Sequence, residues 1–152
     1  MARSRISLSS CLVEHKLKPL VLCDCQQSVA DIDAATTLPL TLLDEVYTAG
    51  DPAMKILARQ AKGDLMLGLV QRMQNTVPPA VNATPEAQEL RQTRIDMLTP
   101  MLVPWQDAAK AAFKEVDIIA KANPQLAKNQ AVVAAVRAAR AKMGAAEQTA
   151  TR

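Results

Sequence analysis

The residues best equipped for chemistry lie near the start of the chain. Cys11, His15, Cys23 and Cys25 fall within fifteen positions as C-x3-H-x7-C-x-C, and the sequence holds no other cysteine or histidine. Thiolates and imidazole are the usual donors of a tetrahedral zinc site. The spacing departs from the knuckles of structural zinc sites, because C-x-C brings two sulfurs to one metal less comfortably than C-x2–4-C. Zinc binding or thiol redox chemistry by this cluster therefore stands beside a plainer reading, in which these are unpaired thiols of a cytosolic protein held in a loose N-terminal arm.

A second candidate group is basic. From Lys121 to Arg152 there are six basic residues and one acidic residue, Glu147. Lys128, Arg137, Arg140 and Lys142 would cluster along the last helix, which suits contact with nucleic acid or another anionic surface. Cations near a helix C-terminus also favour its dipole, and this stretch has no aromatic side chain on which a base could stack.

Acid–base and nucleophilic catalysis find little material. His15 is the sole imidazole, the four glycines (50, 63, 68 and 144) form no phosphate-cradling loop, and no serine or cysteine sits in a known nucleophile context. Paired carboxylates occur as Asp31/Asp33, Asp44/Glu45, Glu86/Glu89 and Glu115/Asp117, none within an E-x-x-H pattern. The expectation is a protein that is not an enzyme. Leu8-Ser9-Ser10-Cys11 resembles the box at which bacterial lipoproteins are cleaved and acylated. That resemblance covers four residues and lacks the preceding apolar segment. It implies export or lipid anchoring only if the true start lies upstream; as written, the sequence carries no export signal and reads as cytoplasmic. No apolar run approaches the ~20 residues that span a bilayer.

The elements that must position these groups are helical. The chain has 152 residues, 49% of them hydrophobic, yet a single Trp, Tyr and Phe, so its core must be built from Ala, Leu, Val, Ile and Met. That mixture favours helix over sheet. With 18 basic and 15 acidic residues, the net charge of +3 does not demand a polyanionic partner. Residues 1–40 lack helical periodicity and read as an irregular N-terminal arm, with a possible short helix over 24–36. Residues 41–144 read as an antiparallel bundle of about four helices, and residues 145–152 as a disordered tail.

Within the bundle a weak helix over 41–48 ends at Gly50. An Asp51-Pro52 start follows, in which the Asp side chain caps and the proline loses no bond, with a helix to about Asn75. Similar starts recur at Thr84-Pro85, Thr99-Pro100 and Asn123-Pro124. Because Pro100 and Pro104 each remove a backbone donor, a kink or break is expected between 99 and 104. Gly144 is expected to end the last helix.

Ala-rich stripes such as Ala108/Ala109/Ala112 and Ala135/Ala139 bury little area each, so the core should be thin and open to burial by association. Met54, Met66, Met73 and Trp105 form the candidate interaction surface, methionine being adaptable apolar material. Trp105 should anchor the packing, its replacement by Ala costing ~3 kcal/mol or more. The function expected from these features is a protein-interaction module, an adaptor, assembly factor or small structural component working through a protein partner or self-association.

Overall fold

The computed structural model describes residues 2–16, 25–75, 77 and 84–149, without the side chains of 10, 13–16, 25–30, 33 and 144–149. Among the described residues the chain is all-helical, with five α-helices: α1 (Ala2–Lys16), α2 (Cys25–Ala49), α3 (Pro52–Gln74), α4 (Pro85–Ala122) and α5 (Gln130–Thr149). A 3₁₀ helix, Pro124–Lys128, joins the last two. No helix is long and apolar enough to cross a membrane among the described residues.

Local chemistry sets two of the starts as the sequence predicts. The Asp51 carboxylate accepts from the Met54 N–H at 2.9 Å ahead of Pro52. The Thr84 hydroxyl accepts from the Ala87 N–H at 3.3 Å ahead of Pro85. In each case the side chain satisfies one of the backbone donors that a helix start leaves open. Glu86, in the first turn of α4, is held below the usual carboxylate range by its own backbone N–H and then by Thr84.

Elsewhere tertiary packing overrides punctuation. The expected irregular arm over 1–40 contains α1 and much of α2, and the expected boundary at 40/41 falls inside α2. The buried positions Ile32, Ala35, Pro39, Leu43 and Val46 recur at intervals of three and four, so one helical stripe runs through a proline. Thr36 joins the core because its hydroxyl bonds the Ile32 carbonyl at 2.8 Å, leaving no unmet donor.

Of the kink or break expected between 99 and 104, the break is absent, and α4 is continuous across Pro100 and Pro104. The two rings lie four residues apart and are exposed, so the carbonyls they leave free, those of Asp96 and Pro100, are on residues open to water. Asn123-Pro124 opens the 3₁₀ helix, not α5. It is Asn129 that caps α5, accepting from the Ala131 N–H at 3.1 Å. Gly144 does not stop α5, which continues to Thr149 into the segment expected to be a disordered tail. A helix-interior glycine costs only about 1 kcal/mol against Ala, and good helix formers follow it here.

α3 lies at the centre, packed by α1, α2, α4 and α5. Almost none of its side chains is fully exposed, and the buried ones fall on several faces: Ile56, Ala58, Gly63, Met66, Leu69, Val70 and Met73. Two apolar clusters form along it. Toward its C-terminal end Leu69, Val70 and Met73 meet Ile32 and Ala35 of α2 and Leu98 and Leu102 of α4. Toward its N-terminal end Ile56 and Met66 meet Ala109, Phe113 and Val116 of α4 and Val132, Ala135 and Ala139 of α5. In this second cluster the Phe113 ring lies where a Cβ on Gly63 would be, 2.4 Å from the ring edge, so only glycine admits it.

Candidate interaction surface

The charged groups of the central helix are committed to holding its neighbours. Arg59 on α3 pairs with Asp44 of α2 at 2.9 Å and with Glu115 of α4, and its guanidinium stacks 3.6 Å from the centroid of the Tyr47 ring. Lys62 reaches the same Asp44 at 2.8 Å. Asp64 holds Lys142 of α5, and Arg5 of α1 pairs with Glu45 of α2 at 2.8 Å. Asp117 of α4 takes Lys121 and Arg140, each at 2.6 Å. Two of the carboxylate pairs seen in the sequence, Asp44/Glu45 and Glu115/Asp117, thus act as inter-helix ties. Asp117 is held below the usual carboxylate range by hydrogen bonds from Lys121 and then Arg140.

The structure separates the basic candidates. Lys142 lies 5.7 Å from the Phe113 ring centroid and is paired with Asp64, while Arg140 is paired with Asp117. Arg137 and Lys128 are exposed, with no ion pair among the described residues. Arg137 and Arg140 border a trough of about 410 Å³ between the end of α4, the 3₁₀ helix and α5, its walls made mainly of Ala120, Leu126, Val132, Val133 and Val136.

The methionine surface is largely core. Met66 and Met73 are buried and Met54 is half-buried, because α3 is surrounded and its methionines fill gaps between helices. Trp105 is half-buried beside the first cluster and not its anchor; the large fully buried ring is Phe113, which the stripe read from the sequence passed over.

Trp105 and Met66 nevertheless meet. α2 and α4 both pack on α3 but share no extensive contact with each other. The space between them is a cleft of about 410 Å³, with Thr36, Thr37 and Leu40 of α2 on one wall, Pro104, Trp105 and Ala108 of α4 on the other, and Met66 of α3 between. Among the described residues no charged side chain lines it. Two apolar residues next in sequence to its walls, Leu38 and Val103, are exposed. In the sequence the threonines gave no signal and Pro104 only that of a kink or break, since the cleft depends on how far apart two helices stand.

Of the cysteine and histidine cluster, Cys11 is an exposed free thiol on α1. His15 and Cys25 lie on α1 and α2 with side chains outside the described set, and Cys23 lies outside the described residues altogether. The zinc reading of Cys11, His15, Cys23 and Cys25 therefore falls outside what the structure describes. Among the described residues no group of three His, Cys, Asp or Glu side chains is placed to hold a metal. No protein-family model, curated protein or solved structure matches this chain.

Proposed function

We propose that the chain is a non-enzymatic helical-bundle interaction module, an adaptor, assembly factor or small structural component, and that it receives a protein segment in the cleft between α2 and α4. The observation that carries this reading is the cleft over Met66, whose described lining is uncharged, with the half-exposed indole of Trp105 on its wall. Tryptophan contributes large contact area at low entropic cost and is enriched where partners bind, and a methionine floor adapts to what is laid on it. A helix inserted there would cover apolar surface that α2 and α4 leave apart, the helix-in-groove mode of recognition.

The test places a photo-cross-linking side chain at Thr37, which is exposed on the cleft wall, and separately at Lys114, which is exposed on α4 outside it. The expected result is a discrete adduct from position 37 and none from position 114. An adduct of twice the chain mass identifies self-association, and one of another mass a heterologous partner. Equal labelling from both positions, or none from position 37, rejects the cleft as a docking site.

A further inference from the structure

The trough beside α5 differs from the central cleft in its charge, and its charge defines an occupant. Its walls are aliphatic, Leu126 and Val136 half-buried and Val133 exposed, while Arg137 and Arg140 stand on its border. From Ile118 to Met143 the sequence has five basic residues and no acidic one. Asp117, the carboxylate bound to Arg140 on that border, already accepts from Lys121 as well. Arg137 has no acidic partner among the described residues.

We infer that this trough binds an acidic amphipathic helix of a partner protein. Aliphatic residues of such a helix at i, i+3 and i+4 fill the space between Leu126, Val133 and Val136, and a flanking Asp or Glu meets the Arg137 guanidinium, whose planar fork matches a carboxylate in two parallel hydrogen bonds. A second copy of the chain bound through the same face would set Arg137 and Lys128, which have no acidic partner among the described residues, against the same two cations, so this face does not serve self-association. A nucleic-acid backbone would meet the arginines but leave the aliphatic walls uncovered, with no aromatic group there to stack a base. The proposal deepens the interaction-module reading but uses a different surface from the α2–α4 cleft, so the two fail independently.

The test selects a displayed library of random short peptides on the full-length chain. Counter-selection uses the variants Arg137→Glu and Val133→Asp, both exposed helix positions, each first checked for unchanged helical circular dichroism. Enriched peptides should combine i, i+4 aliphatic pairs with Asp or Glu. The best of them should lose roughly tenfold or more in affinity on Arg137→Glu, and lose affinity on Val133→Asp too, while Trp105→Ala leaves it unchanged. The proposal is overturned by enrichment of neutral or basic peptides, by no enrichment over the variants, or by an effect of Arg137→Glu without one from Val133→Asp. Tight binding of a single-stranded oligonucleotide or of phosphatidylglycerol vesicles where the library yields nothing also overturns it, and assigns the face to that anion. Loss of the peptide signal with cross-linking at position 37 intact would remove this proposal alone.

Discussion

The two apolar clusters along α3 solve the same problem with different materials. Toward the C-terminal end of α3, bulky aliphatic side chains from α2, α3 and α4 interdigitate, and Leu98, Leu102 and Met73 are each nearly sealed from water. Toward its N-terminal end the contributions of α4 and α5 are mostly alanine and valine, gathered around one ring, Phe113, lodged against Gly63. Alanine lets helix backbones approach closely but removes little area from water, so the second cluster concentrates its stabilisation in a single side chain. A thin core is therefore unequally thin, and the two ends should respond differently to damage.

The sharpest way to break the comparison is Phe113→Ala, which empties the centre of the alanine cluster and should cost ~3–5 kcal/mol, read by denaturant or thermal melting. A cost below ~1 kcal/mol would mean that α5 collapses onto the space and that the cluster is not organised around the ring. Gly63→Ala should come next. Its new Cβ meets three carbons of the Phe113 ring, at 2.4, 2.6 and 2.8 Å, and forcing the ring away should cost ~1–3 kcal/mol of overpacking. Paired with Phe113→Ala, the same substitution should lose most of that penalty, since the atoms it strikes are gone.

Trp105→Ala probes the border of the aliphatic cluster. Because the indole is only half-buried, about 1–2 kcal/mol is expected, in place of the ~3 kcal/mol or more that its size alone suggested. Gly68→Ala sharpens the contrast with Gly63 from the other side. A Cβ there meets nothing within 4 Å, so the substitution should raise stability by ~0.5–1 kcal/mol through helix propensity alone.

The smallest effect concerns Asp117, which ties α4 to α5 beside the alanine cluster. Its folded-state pKa is depressed by the hydrogen bonds from Lys121 and Arg140. A depressed carboxylate contributes stability that is present above its unfolded pKa, about 4, and is lost as pH falls through the folded value. Asp117→Asn should therefore lower the melting temperature slightly near neutrality and flatten its decline in acid. An unchanged acid limb would show that the triad adds nothing to the α4–α5 contact.

How much of this was legible before folding differs element by element. Asp51-Pro52 and Thr84-Pro85 place two helix starts correctly, because a cap acts through backbone donors three residues away and needs no tertiary partner. The stripe Val132, Ala135, Val136, Ala139 and Met143 faces the core as its spacing predicts. The α2 stripe was present too, at 32, 35, 39, 43 and 46, but its third member is a proline and its neighbours are threonines, so local propensity argued against the period. Of the candidate sites, Trp105 and Met66 proved to share a cleft, whereas two of the four cations proved to be ion-paired.

By itself the sequence determined the helical class, a core made mostly of aliphatic side chains and the caps that begin α3 and α4, all consequences of residue type acting within a few positions. Only the tertiary structure decided that α3 is enclosed, that Pro39, Pro100 and Pro104 lie inside helices, and that Gly63 and Gly68 have opposite surroundings. It also decided that α2 and α4 stand apart over Met66. Those outcomes rest on burial against distant partners, whose free energy outweighs the one or two kcal/mol by which a local preference is expressed.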